Sequence, residues 1–459
     1  MNGSWRGRHI SALAAAISIL VVACGGGAAS SATTTPTGSA SPAQASAAAS
    51  QADASTSGDR IQVSLWTHAA GAPDELGPLL GWIKAFNASQ SQYEVKITAF
   101  PDANYAYNDT IVAAALSKSL PCLLDVDGPN IPNWAYGGYL QPLAISQATV
   151  DAPFLPAMYG KWQGKLYGMG RGEDAVALFA RKSDLDTFGI RVPTLAAPWT
   201  GPEFQKILDT YKNSGKFKFA FDPGMAWTGE WYPYAYSPFL QSFGGDLIDR
   251  TTFKSADGVL NGKDAAAWGA WWQALFAKGY SPGTSQTAAD RDTGFIDGKY
   301  GLQWMGDWNA TKVSSALGKD VLYLPAPDFG HGSKIGAGSW QWAVSSSCKE
   351  PKAANAFIDF ILAPERLAEF SESRTSIPAR SDARPFTTKW KEGAPLAVFY
   401  DFTKAEGLIR PPTPAYPKIA KIFEKAAADI ANGAAVQATL DKAVDEIDAD
   451  IKANNGYGF

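Results

Sequence analysis

The chain has 459 residues, 46% of them hydrophobic, enough for a sizeable buried core and too many for a disordered or fibrous protein. Charged side chains make up only 18%, while 16 Trp, 17 Tyr and 23 Phe bring the aromatics to 12%, rings that pack cores and also build ligand platforms. A net charge of −4 without a basic run argues against nucleic acid, and three His are too few for most His-based metal sites.

The N-terminus carries Arg6 and Arg8, then an apolar run over 10–23 that is short for a membrane span. This pattern predicts a secretory signal peptide over 1–23. Val21-Val22-Ala23-Cys24 resembles the bacterial lipobox, in which the cysteine thiol is acylated. A chain anchored by lipid on Cys24, rather than one that spans the membrane, is therefore expected, with an ordinary signal peptide as the alternative. Without residues 1–23 the formal charge goes from −4 to −6, since both lost charges are arginines. Residues 25–58 are Gly, Ala, Ser, Thr, Pro and Gln with Asp53 as the one charge, so 24–59 reads as the lipidated Cys followed by a flexible tether. Cys122 and Cys348 remain; an exported compartment permits their disulfide, and two free buried thiols fit equally well.

From Ile61 the pattern alternates between strand and helix. Ile61, Val63 and Leu65 alternate with Gln62 and Ser64 as in a strand; Leu79, Leu80, Ile83 and Phe86 have helical spacing; Val95, Ile97 and Ala99 alternate again. Leu123 to Val126 is a short apolar run closed by Asp127-Gly128-Pro129. Such alternation argues for an α/β fold with a mainly parallel sheet, whose ligands bind beyond the carboxyl ends of strands, here near Trp66, Thr67 and Asp127. Toward the C-terminus, helices are predicted around Phe357 to Phe370, from Pro417 to Asn432-Gly433, and over Val436 to Ile451. Trp268, Trp271 and Trp272 at helical spacing read as packing.

Several segments together resemble the extracellular solute-binding proteins of family 1, the sugar receptors of bacterial ABC importers. The residues concerned are Gly164-Lys165-Leu166-Tyr167-Gly168, Ala177-Leu178-Phe179 with Lys182-Ser183-Asp184-Leu185, Gly244-Gly245-Asp246-Leu247, Met305-Gly306-Asp307-Trp308, Ile377-Pro378-Ala379-Arg380 and Arg410 to Tyr416. Each string is short, but their order extends over about 60–450. The resemblance implies a periplasmic-binding-protein-like type II α/β fold, with two lobes, a hinge of three crossings and a ligand cleft between them. The crossings are expected near 168–174, 326–338 and 374–384. Lobe one then takes 60–170 plus 336–378, and lobe two 174–326 plus 384–459. In this fold the strand from Trp340 runs antiparallel beside the one that starts at Cys122, which brings Cys122 and Cys348 close.

The function implied is capture of a mono- or oligosaccharide by lobe closure and delivery to the transmembrane permease subunits of an ABC importer. A monomer without enzymatic activity, cofactor or metal is expected, held at the cell envelope by its lipid. A sugar offers apolar C–H faces and a rim of hydroxyls, which call for aromatic rings beside carboxylates or amides. By position in the family, Asp307 and Trp308, Glu230, Trp231 and Tyr232, and Trp340 are expected to meet the ligand. Trp66, Asp127 and Trp134 in lobe one, Asp174 after the first crossing and Arg374 before the third complete the set. His68 reads as an ordinary loop histidine. Two readings compete: the same fold binding a polyamine, which also suits acid plus Trp, and an exported glycoside hydrolase, which needs two carboxylates about 5 to 10 Å apart.

Overall fold

A computed structural model describes residues 60–101 and 106–459 of the chain. The expected signal peptide, Cys24 and the tether lie outside the described residues. Two sheets organise the fold. The first has the strand order Tyr93–Ala99, Ile61–Thr67, Leu123–Asp127, Trp340–Ser345, Lys165–Gly170, Tyr159–Trp162, with Leu140–Gln141 paired to Trp340–Ser345 off this path. Only the first two pairings are parallel. The expectation of a mainly parallel sheet is corrected: Trp340–Ser345 returns from far along the chain and inserts antiparallel between Leu123–Asp127 and Lys165–Gly170. The second sheet has the order Val321–Leu324, Val176–Arg181, Tyr300–Gly306, Phe219–Asp222.

The passages between the sheets lie side by side. Gly172–Glu173 pairs antiparallel with Ile377–Pro378, Ala175 is bridged to Ala337, and Ile335–Ala337 pairs with Gly407–Ile409. The result is a two-lobed α/β fold of the type II binding-protein kind, with helices packed on both sheets and a cleft between the lobes.

Each helix buries the stripe its sequence offers. The helix Pro73–Ser89 turns Leu79, Ile83 and Phe86 inward, although Leu80 is exposed at 47%. The helices Tyr416–Ala431 and Val436–Ala453 bury Ile419, Phe423, Ile430, Leu440, Val444 and Ile447. Trp268 and Trp272 of the helix Lys263–Ala277 are fully buried; Trp268 stacks on Phe423 and the Trp272 indole N–H donates to the Ala427 carbonyl at 2.9 Å. Cys122 and Cys348 form a disulfide that closes a separation of 226 residues. Among the described residues no helix is long and apolar enough to cross a membrane.

Candidate functional site

A cavity of about 430 Å³ lies where strand ends and loops of both sheets meet. Trp340 sits opposite Asp127 in the antiparallel register, so two neighbouring strands of the first sheet deliver both side chains to its edge. His68 follows the strand Ile61–Thr67, Glu75 opens the helix Pro73–Ser89, and Arg374 closes the helix Pro364–Arg374. From the other side, the loop before Tyr232 and a π-helical turn over Tyr232–Tyr236 present Trp227, Glu230, Trp231 and Tyr234. A π turn shifts the angular spacing of side chains, and such turns recur at functional sites. Here Trp231 and Tyr234 face the cavity while Tyr232 turns away. Trp308 follows the strand Tyr300–Gly306 and folds back over Gly306, where a Cβ would collide with the indole.

Charge pairs frame the cavity. Arg171, buried under Trp342 and Phe370, donates to Asp125 and, at 2.7 Å, to Glu75. Asp125 in turn holds the His68 ring at 2.7 Å, and Glu75 accepts from Arg374 at 2.6 Å. Burial disfavours the charged imidazole, but Asp125 and Glu75 outweigh it and lift His68 to about 9. His68 is therefore an imidazolium at neutral pH, stacked on Trp340 with ring centroids 3.5 Å apart. Burial works against the ionised carboxyls of Glu75 and Asp125 as well, yet the cations beside them hold both below the usual carboxylate range.

A second group spans the two sides. Arg410 donates to Glu230 at 2.6 Å and lies 3.6 Å from Asp127, while the Tyr416 hydroxyl donates to Glu230. Burial pushes Asp127 up to about 7 and raises Glu230 too, against the pull of the Arg410 guanidinium. Deeper in the hinge, Glu173 accepts from the Gly338 N–H and is lifted by burial to about 8. Asp307 accepts from the Ala175 N–H at 3.1 Å, and burial followed by the nearby Asp174 charge raises it well above the usual range.

Of the eleven residues expected at the ligand, Asp127, Asp174, Glu230, Trp231, Trp308, Trp340 and Arg374 line this cavity. The other four do not. Trp66 packs on Phe100 and its backbone carbonyl accepts from the Tyr107 hydroxyl, since alternation along the strand puts it on the face covered by the helix Ala106–Leu116. Trp134 is buried in a small core with Ile111, Leu124 and Ile131, and borders a neighbouring cavity of about 420 Å³ instead. Tyr232 packs against Tyr236, whose ring lies on Trp272. Asp307 is fully buried, where its carboxylate accepts from the Ala175 N–H just before the strand Val176–Arg181.

The sequence reading missed His68, Glu75, Trp227, Tyr234, Arg291, Ser339 and Arg410, all of which line the cavity. Two signals were present. Trp227 and Tyr234 belong to the same aromatic run as Glu230-Trp231, and Arg410 begins the motif that ends at Tyr416. Five buried polar atoms around the lobe-two side have no hydrogen-bond partner among the described residues: Asp174 Oδ1, Trp227 Nε1, Tyr234 OH, Asp307 Oδ2 and Asn309 Nδ2. Buried polar groups are ordinarily satisfied; of these five, the atoms of Asp174, Trp227 and Tyr234 belong to residues that line the cavity, while Asp307 and Asn309 do not.

Comparison with known proteins gives a consistent family. The model of the family described as "Bacterial extracellular solute-binding protein" matches residues 81–397, more than half of the chain. An uncharacterised lipoprotein of Streptomyces antibioticus is 23% identical over 346 residues, covering 71% of this chain and 74% of that protein. The maltodextrin-binding protein MdxE of Bacillus subtilis is 25% identical over 305 residues, covering 63% and 68%. Among solved structures, the GacH receptor of Streptomyces glaucescens, studied unliganded and with acarbose, superposes with a TM-score of 0.69 at 19% identity, covering 86% of this chain and 98% of that one. The cyclic α-maltosyl-1,6-maltose binding protein of Arthrobacter globiformis reaches 0.70 at 20% identity, covering 86% and 100%. With the family model matched over most of the two-lobed body, the chain belongs to the bacterial extracellular solute-binding proteins.

Proposed function

We propose that the protein is the capture receptor of an ABC sugar importer, which closes its lobes on a mono- or oligosaccharide and passes it to the membrane permease. One observation carries this reading: a cavity between the lobes has tryptophans on both sides and unpartnered polar atoms between them. Trp340 comes from the first sheet, Trp231 and Trp308 from loops on the side of the second, and Asp174 Oδ1, Tyr234 OH and Trp227 Nε1 await partners. Rings cover the C–H faces of a sugar, and the polar atoms take its hydroxyls. A volume of about 430 Å³ falls in the usual range of ligand sites, about 300–1,000 Å³. Maltodextrin and acarbose appear as ligands of similar proteins, which supports the same class here.

Because the ligand touches both lobes, binding favours the closed arrangement over the open one. The lobes are taken as 60–170 plus 336–378 and 174–326 plus 384–459, joined by the three crossings. Arg410 fits the task of organising the closed cleft, since it engages Asp127 and Glu230 from opposite sides. That engagement also speaks for recognition over hydrolysis: the carboxylates are held by Arg410 and Tyr416 rather than left free for acid and base roles. The chain acts as a monomer, tethered through lipid on Cys24 at the cell envelope.

The test is thermal unfolding of the purified protein against a panel of mono- and oligosaccharides. A ligand that binds only the folded state adds about 2.7 kcal/mol at one hundred times its dissociation constant. The expected result is a rise in Tm with at least one saccharide that is lost in Trp308→Ala, since stacked aromatics at the centre of a site contribute about 2 kcal/mol or more. A flat response to the whole panel overturns the proposal.

A further inference from the structure

We infer, resting on the reading that the cleft takes a saccharide, that the ligand carries a basic nitrogen, as an amino sugar does, and that this ammonium docks in the corner formed by Asp174, Tyr234 and Trp308. The first argument is charge. Each arginine that lines the cavity already has a carboxylate at 2.6 Å: Arg374 has Glu75, Arg410 has Glu230 and Arg291 has Asp292. His68 lies between Asp125 and Glu75. Asp174 has no cation within ion-pair distance among the described residues, and Arg374, held by Glu75, feels its charge only from farther away. One of its oxygens takes the Ser339 hydroxyl at 2.8 Å and the other has no partner. Immediately behind it are two further carboxyl groups without an ion pair, Glu173 and Asp307.

A second, independent observation points to a ligand at this corner. The Tyr234 side chain lines the cavity at only 7% exposure, and its hydroxyl has no partner among the described residues. Its ring lies 6.4 Å from that of Trp308, which is 6.1 Å from Trp231, itself 5.9 Å from Trp227. Arg410 already lies over the Tyr234 ring at 5.1 Å and Arg291 over Trp227 at 3.8 Å, which leaves the faces of Trp308 and Trp231 beside a carboxylate without an ion pair among the described residues, the combination that binds ammonium groups. A neutral sugar would satisfy its hydrogen bonds and leave these three carboxyl groups without an ion pair. Two of them are held as neutral acids: burial, with the neighbouring acids, lifts Glu173 to about 8 and raises Asp307 well above the usual range. An ammonium would take the place of those protons, so binding would release them.

The experiment is isothermal titration of the purified protein at pH 7 in two buffers of different ionisation enthalpy. The probes are glucose against glucosamine, cellobiose against its 2,2′-diamino counterpart, maltotriose as a further neutral saccharide, and spermidine as an amine without a sugar. The expected result is an amino member at least about tenfold tighter than its neutral partner, with net proton release. The advantage shrinks in Asp174→Asn and in Tyr234→Phe, and also with added salt. Neutral saccharides that bind as tightly as the amino ones, or tighter, overturn this inference and leave the sugar receptor standing. An amino preference that survives intact in Asp174→Asn also overturns it, because the corner is then not its source. Binding of spermidine with no response to any saccharide, or no binding at all, overturns the sugar reading together with the inference.

Discussion

Replacing Glu173 by Gln should make the protein less sensitive to alkaline pH. The Glu173 carboxyl is 1% exposed in the hinge and accepts a hydrogen bond from the Gly338 N–H, while the chain around it pairs with Ile377–Pro378. Burial is the largest influence on it and lifts it from 4.5 to about 8. The folded chain therefore keeps a proton that the unfolded chain has already lost, and stability falls as pH rises between those two values. Each pH unit in that window costs about 1.4 kcal/mol, so going from pH 5.5 to pH 8 removes about 3 kcal/mol through this one group. Glutamine has the shape of the protonated acid and keeps an oxygen for Gly338, but has nothing to ionise. Urea unfolding of wild type and Glu173→Gln at both pH values isolates the contribution, since every other titrating group is common to the two. Wild type should lose about 3 kcal/mol more than the variant over this interval. Equal losses in the two proteins would refute the argument, and a larger loss in the variant would reverse its sign.

Reduction of Cys122–Cys348, or its replacement by two alanines, should destabilise the chain, because the bridge closes a separation of 226 residues; the chain-entropy model gives about 5 kcal/mol, read as a lower urea midpoint. Arg171→Met should cost about 3–5 kcal/mol at pH 7, since it strands Glu75 and Asp125 in the interior, and part of that loss should be recovered by adding Asp125→Asn in a double-mutant cycle.

Much of the fold was legible because apolar periodicity is a local signal. The strand at Ile61, the helices at Pro351 and Tyr416, and the buried stripe through Val436–Ala453 all follow from spacing alone. The hydrogen-bond partners of a strand are another matter. The place of Trp340–Ser345 beside Leu123–Asp127 joins segments more than two hundred residues apart; no local pattern encodes it, and only the family resemblance implies it, together with the Cys122–Cys348 proximity. The same separation explains the site. Trp231 and Trp308 stand in aromatic, loop-like sequence and line the cavity. Tyr232 and Trp66 stand in equally aromatic sequence and do not, because a π turn and the face of the strand decide which ring meets the cavity. His68 was read as an ordinary loop histidine because what changes it, Asp125 and Glu75, is supplied by two other elements.

That histidine shows what the buried charges contribute. Buried ion pairs are weak sources of stability, since desolvation offsets most of their attraction. Their value here is positional. Arg171 does not line the cavity, yet it fixes Asp125 and Glu75, and each of these orients a cation that does: Asp125 holds the imidazolium stacked on Trp340, and Glu75 holds Arg374. Arg410 does the same from the other side for Asp127 and Glu230. A receptor whose lobes open and close must rebuild one constellation at each closure, and rings and hydroxyls on loops do not specify it alone. A chain of ion pairs in a dry interior has few alternative geometries that leave no charge stranded. The cleft is thus given its shape by charges that pair among themselves, and the atoms left without partners, at Asp174, Tyr234 and Trp227, are those available to the ligand.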